Sequence, residues 1–420
     1  MSRTASIARF APKPIVLRVK KRDDDEQTEH SSLRELLETR CPSLFSDFNS
    51  VWWLFNGHLQ TLYCVLGDFS KIDHIIYRRK YIRLADGGTL GLDFTSNTFS
   101  CRRDNTPVIV VMHGLTGGSY ESYVRAILTK ACAAINDGGL EYRAVVVNFR
   151  GCAGVPITSP QAYSAGHTDD LRQALIYISH MFPKAPLLGI GFSLGANVMT
   201  RYVAEEGERS RLQSCCALAC PWDLSRNNTS ILSTFFGRQV YSRGMGNNLA
   251  NMVKKNYKGL TSGSNPIVAN AADAVMMLKK PLLNEFDQTF TCKAGGSMPP
   301  FPFATAEDYY GWASSHHVIN DIRIPYLAIN ANDDPVVQHV PLDAIENGFV
   351  ALKLTAGGGH LGWFQSGPNL SVDRWTTKPV LEWCRLTGDD IIHAPNGASS
   401  IFQDRDGFLR EECCKDYNGS

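Results

Sequence analysis

The sequence has 420 residues, 44% of them apolar and 20% charged, with 42 basic against 41 acidic side chains and a formal net charge of +1. This is globular composition, which excludes wholesale disorder, and so even a charge balance argues against a nucleic-acid-binding protein. Twelve cysteines in so long a chain do not imply a disulfide scaffold. With no signal-like start and no run near the ~18 apolar residues of a membrane span, the chain reads as soluble, intracellular and thiol-reduced.

In chain order, residues 1–30 carry a basic cluster (Arg3 to Arg22) and then the acidic run Asp23–Glu26, which predicts a flexible solvated arm. From 31 to 386 the pattern is that of one folded domain, and the polar stretch 387–420 reads as a second tail with Cys413 and Cys414 as spare surface thiols. Within the domain, His74–Leu84 and Thr89–Phe94 flank Asp86-Gly87-Gly88, a hairpin signal. Pro107–Met112 and Tyr142–Asn148 are continuous apolar runs of the kind buried on both faces of a sheet, with a helix over about Glu121–Ile135 between them. Leu171, Ala174, Leu175 and Ile178 recur at helical spacing. Then come a strand at Pro186–Ile190, a helix at Leu194–Glu206 and a strand at Ser214–Cys220. Such alternation predicts an α/β fold: a mostly parallel sheet covered by helices, with its site at the carboxyl ends of the strands. It lapses over about 221–324 and resumes at Pro325–Asn330 and Val350–Thr355, so the interval reads as a cap inserted between two strands.

The chemistry centres on Gly191-Phe192-Ser193-Leu194-Gly195, where a buried strand gives way to a helix. A serine on that sharp turn is exposed to substrate, and the flanking glycines are needed because a Cβ would strike the neighbouring elements. Serine attacks well only when a base removes its proton. The order Ser…Asp…His is completed after the last two strands, by Asn332-Asp333-Asp334-Pro335-Val336-Val337 and by Gly357-Gly358-Gly359-His360. Asp334 is preferred to Asp333 as the orienting acid because a short apolar pair follows it; His360 is the base. Backbone N–H groups of Leu194 and of Leu115, in the loop His113–Gly118, are expected to form the oxyanion hole. His113 is assigned a hydrogen bond within its own loop and no proton transfer.

Other motifs are weaker. Gly189-Ile190-Gly191 evokes a dinucleotide fingerprint, but Leu194 stands where the third glycine belongs. His316 and Asp321 have the H-x4-D spacing of some acyltransferases, which coincidence explains in a chain with 11 histidines. No zinc spacing or P-loop is present, so neither metal nor cofactor is called for; Cys215, Cys216 and Cys220 read as core.

Together these residues resemble the α/β-hydrolase-domain proteins related to the bacterial YheT hydrolase, which include fungal medium-chain fatty-acid ethyl ester synthase/esterases and animal lipid hydrolases. The matching motifs are Trp53-x-x-x-Gly57-His58-Leu59-Gln60-Thr61, His113–Gly117, Asn148-Phe149-Arg150-Gly151-Cys152 and Gly191–Asn197. Further on are Glu285-Phe286-Asp287, Asp308-Tyr309-Tyr310, Ser314 and Ile324-Pro325 through Asp334, so the likeness spans roughly 41–386. It implies an α/β-hydrolase fold and a serine esterase or lipase acting on lipid-like, medium-chain acyl esters, with lipid ester or acyl-CoA as donor and water or an alcohol as acceptor. Phe235, Phe236, Met276, Met277, Phe301, Phe303, Tyr309, Tyr310 and Trp312 are candidates to line an acyl channel, with cap core the preferred reading of each because apolar residues mostly pack. Some relatives carry an N-terminal membrane anchor that has no counterpart here, so the expected location is cytoplasmic, with contact to a lipid-droplet or membrane surface where substrate lies there. The reading from another class is a catalytically silent lipid-binding protein on the same scaffold.

Overall fold

The structure, a computed structural model, describes residues 6–412 except 23, 100–102, 264, 344, 368–370 and 394–396. The β-branched runs form strands buried along their whole length: β6 (Val108–Met112) and β7 (Arg143–Asn148) contain no exposed position. They belong to a nine-stranded sheet. Its earlier members are β1 (Ile7–Phe10), β4 (Tyr77–Arg83) and β5 (Thr89–Thr95), with β2 (Val16–Lys21) and β3 (Asp24–Ser32) pairing apart from it. Its later members are β8 (Leu187–Phe192), β9 (Ser214–Leu218), β10 (Tyr326–Ala331) and β11 (Val350–Thr355). The order is β1-β11-β10-β9-β8-β6-β7-β5-β4. The six strands from β7 to β11 run parallel, and antiparallel neighbours flank them at both ends.

Helices cover both faces. On one lie α1 (Leu33–Arg40) and α3 (Ser122–Cys132), with α2 (Gly57–Leu66) alongside; on the other lie α4 (Asp169–Met181) and α5 (Leu194–Glu206). Between β9 and β10 the chain builds a helical cap. It consists of α6 (Leu224–Ser233), α7 (Arg243–Lys255), α8 (Tyr257–Thr261), α9 (Pro266–Met277), α10 (Leu283–Phe286), α11 (Cys292–Ala294) and α12 (Ala306–Ala313). The helix α13 (Thr377–Arg385) returns to the face of α1 and α3. The chain passes from β6 outward to β7 and then back across β6 to β8. That reversal opens a crevice at the carboxyl ends of β6 and β8, where open α/β sheets bind their ligands.

Both expected tails are corrected over their described residues. Ile7–Phe10 pair antiparallel with β11, so the sheet edge begins inside the predicted arm. Beyond it, Val16–Lys21 and Asp24–Ser32 pair as the β2–β3 ribbon, in which Val19 is fully buried and bridges Ile391. A two-sided ribbon tolerates charge on its solvent face, so the charge run was no evidence of a loose chain. At the other end, residues 387–390 prolong α13, and Ile401–Gln403 pairs with Leu409–Glu411, anchored by Arg211 to Glu411 at 2.7 Å. Cys413 and Cys414 lie outside the described residues. Nine cysteines are described; all are buried and none is in a disulfide.

The Asn148 and Arg150 motif proves to be a brace. Arg150, 3% exposed in its side chain, pairs with Asp170 at 2.6 Å and also with Asp86 in the β4–β5 turn. Asn148 accepts from the Ser119 N–H and donates to the Gly91 carbonyl and Asp93, which ties the loop after β6 to the sheet. No helix among the described residues is long and apolar enough to cross a membrane.

Candidate active site

Ser193 directly follows β8 with φ +52° and ψ −120°, a strained conformation for a residue with a Cβ. The turn holds because α5 starts at the next residue and because the second motif glycine is bare. A Cβ on Gly195 would lie 2.5 Å from the carbonyl oxygens of Met112 and His113. Ser193 is only partly buried, so its hydroxyl stands at the mouth of the crevice.

Three chain segments meet there. The His360 Nε2 lies 2.8 Å from Ser193 Oγ, and its Nδ1 lies 2.8 Å from Asp334 Oδ2. Asp334 is fully buried in its side chain, and its other oxygen accepts the N–H groups of Val336 and Val337 at 2.7 and 2.8 Å. Those two amides hold the carboxyl in one orientation, with Oδ2 turned to the imidazole. Asp333 points elsewhere: its carboxyl accepts the Gly359 N–H at 2.9 Å and is pushed above the usual carboxylate range by burial. The geometry therefore joins the expected serine and histidine to the preferred one of the two acids.

In the loop after β6, three amides are already committed. Gly114 N–H donates to the Tyr123 hydroxyl and Thr116 N–H to the Tyr163 hydroxyl, both at 3.1 Å, and Gly117 N–H donates to the Gly114 carbonyl. Leu115 lies between them at the cleft wall, as does Leu194, the first residue of α5, whose N–H belongs to the unpaired first turn of a helix. His113 is fully buried. Its Nδ1 donates to the Gly114 carbonyl, its Nε2 accepts from Phe149 N–H, and burial pushes its pKa down to about 4, so it stays neutral.

The segment missed as a site component is α2. Thr61 Oγ1 accepts the His360 backbone N–H at 2.8 Å and donates to the Gly57 carbonyl at 2.6 Å. Gln60 grips the strand beyond the histidine loop through both the N–H and the carbonyl of Phe364. His58, from the same motif, bonds the Tyr241 hydroxyl of the cap at 2.9 Å. Only the family motif marked these residues, because their partners lie some hundreds of residues away in the chain.

A cleft extends from Ser193 beneath the cap. Its apolar wall is made by Leu224, Ile231, Met245, Leu249, Leu283 and Val336. Of the nine residues named for an acyl channel, Tyr309 and Tyr310 line it. Phe301, Phe303 and Trp312 pack with those tyrosines in a separate cap core, while Phe235 and Met277 are more than 80% exposed. Apolar periodicity does not distinguish a cavity wall from a packed interior, and for Phe301, Phe303 and Trp312 the reading as cap core is the one observed. His316 bonds the Trp222 carbonyl and Asp321 is exposed on a separate turn, so the H-x4-D pair is not assembled. Among the described residues no three His, Cys, Asp or Glu side chains are grouped to hold a metal ion.

A strained serine at a strand-to-helix turn, met by an imidazole and a buried carboxylate at the switch point of a parallel sheet, is the arrangement of a serine hydrolase of the α/β class. Residues 107–366 match the family described as alpha/beta hydrolase fold, and the chain belongs to it, as a hydrolase of the esterase and lipase type. It is 31% identical over 418 residues to a monoacylglycerol lipase of Saccharomyces cerevisiae, covering 90% of this chain and 89% of that one. It is 29% identical to medium-chain fatty acid ethyl ester synthase/esterase 2 of the same yeast, over 79% and 84% of the two chains. The phospholipase ABHD3 of Mus musculus is 28% identical, over 80% of this chain and 77% of its own.

Proposed function

We propose that the chain is a serine esterase of lipid-like, medium-chain carboxylic esters that works through Ser193, His360 and Asp334. Ser193 Oγ attacks the acyl carbonyl while His360 Nε2 takes its proton. Asp334 fixes the imidazole with its proton on Nδ1 and stabilises the imidazolium that forms. The N–H groups of Leu115 and Leu194 receive the oxyanion. When the tetrahedral adduct collapses, His360 returns the proton to the departing alkoxide and an acyl-serine ester remains. Water or an alcohol then attacks that ester by the same path in reverse, so hydrolysis and acyl transfer use one set of residues.

The observation that carries this reading is the continuous relay of two 2.8 Å contacts from Ser193 through His360 to Asp334. The apolar cleft under the cap supports an acyl chain as the bound group, and the relatives named for lipid esters support the substrate class. Exposed Trp52, Phe55 and Phe235 favour delivery of substrate from a lipid surface.

A fluorophosphonate probe tests the nucleophile: wild type labels and Ser193→Ala does not. Absence of labelling in wild type would favour the silent lipid-binding alternative. A chain-length series of p-nitrophenyl esters, with ethanol or glycerol as competing acceptor, tests the substrate; turnover should peak at medium chains, and no turnover at any length rejects the class.

A further inference from the structure

The imidazole of His360 is aimed by a loop that strains its own backbone. Gly359, Leu361 and Trp363 have φ of +59°, +60° and +50°, so two residues with a Cβ sit in the left-handed region beside the base. Such a turn persists where its surroundings over-determine it. Trp363 N–H closes the turn on the Gly358 carbonyl at 2.8 Å, and Thr61 fixes the peptide plane that enters His360. The two planes that follow Leu361 are held by a side chain from outside the loop.

That side chain is Arg374, the last residue of β13 (Val372–Arg374), which pairs with β12 (Phe364–Ser366) so that Arg374 stands opposite Phe364. Its Nη1 donates to the carbonyls of Leu361 and Gly362 at 2.5 and 3.1 Å. Its Nη2 donates to the Ser122 hydroxyl at 2.7 Å and to Cys64 Sγ of α2 at 3.6 Å. The guanidinium carbon lies 4.3 Å from the centroid of the Phe364 ring, which steadies the cation over an aromatic face. Ser122 opens α3, and the next residue, Tyr123, receives the Gly114 N–H of the loop after β6. One half-buried cation thus spans the loop of the base and the helix that braces the expected oxyanion loop. Arg374 lies beyond residues 107–366 that match the family, and the reaction cycle gives it no part.

Bonds from an ionised donor are the strong ones, and a planar fork serves two carbonyls with one nitrogen while the other reaches a hydroxyl. An ammonium is a point charge on a flexible stem and does not reproduce that pattern. Resting on the serine esterase reading, we propose that Arg374 is a positioning residue for His360: it holds the left-handed turn so that Nε2 stays within reach of Ser193 Oγ and in register with the oxyanion loop. It touches neither the substrate nor the reacting atoms, so its loss slows proton transfer and leaves substrate binding unchanged.

The test is steady-state hydrolysis of p-nitrophenyl decanoate by wild type, Arg374→Ala and Arg374→Lys, with thermal unfolding as the check on the fold. Each variant should lower kcat about 10- to 100-fold with KM within about twofold of wild type, because a displacement of about 1 Å at a reacting group costs that much in rate. Methylguanidinium should restore much of kcat in Arg374→Ala and do nothing for wild type or Arg374→Lys. Labelling of Ser193 by the fluorophosphonate should slow in step with kcat. If Arg374→Ala does not fold, Arg374→Lys decides alone. A lysine variant as active as wild type overturns the proposal, as does labelling at the wild-type rate in either folded variant. A loss shared between kcat and KM that methylguanidinium does not relieve also overturns it, since that is the mark of general loosening. A wild type that neither labels nor hydrolyses the ester rejects instead the esterase reading on which the proposal rests.

Discussion

Asp333 and Asp334 are adjacent carboxylates with the same chemistry, yet one accepts a loop amide and the other faces the imidazole. Removing the charge at 334 leaves the imidazole in the wrong tautomer, so Asp334→Asn should lower kcat by about 10⁴. Asp333→Asn should lower it far less, and steady-state ester hydrolysis separates the two. Asp287 offers a pH test. Burial raises its carboxyl to about 6 from an ordinary 3.8, so between those values the folded chain holds a proton that the unfolded chain has released. Its contribution to stability is fully present below the lower value, falls as pH rises to about 6, and is level above. Asp287→Asn removes that dependence, so denaturant unfolding should show the variant gaining on wild type by up to about 3 kcal/mol between pH 4 and 7. At this scale the sequence was most informative: Ser193 and His360 were marked by glycines and by position after a strand. The choice of Asp334 required only that an apolar pair follow it. The burial of Asn227 and Asp287 was not legible, because a buried polar side chain differs from a surface one only once the chain is folded.

Among the elements, the buried strands were readable from unbroken β-branched runs, with bounds differing by one or two residues from those observed. Helix α2 was readable as a motif but not as a support, since nothing local reveals that Thr61 holds His360. Its close approach depends on Gly57, whose Cβ would sit 1.8 Å from the Asp333 carbonyl oxygen. Gly57→Ala must therefore displace either α2 or the acid loop. It should reduce kcat at least tenfold, with a lowered melting temperature, in parallel ester and thermal-unfolding assays. The helical cap was legible only as a lapse in alternation. Which of its apolar residues face the cleft depends on how seven helices pack, and Met276 and Met277, candidates for either cap core or channel, are both exposed.

Across the whole molecule, the first residues close one edge of the sheet against the strand that leads into the His360 loop. Their role escaped the sequence reading because a four-residue strand among basic residues has no hydrophobic signature. Deleting residues 1–11 bares the edge of β11, and should lower the melting temperature by several degrees and promote association, measured by thermal unfolding and light scattering. The sequestered sulfur atoms carry a last consequence. With Cys152, Cys220 and Cys384 fully enclosed and their thiols pushed up to about 12, the thiolate needed for alkylation is scarce and unreachable while the chain is folded. Once Cys101, Cys413 and Cys414 are replaced by serine, iodoacetamide uptake becomes a clock for global opening: slow in buffer, quickening as urea approaches the midpoint, and indifferent to whether the nucleophilic serine has been blocked.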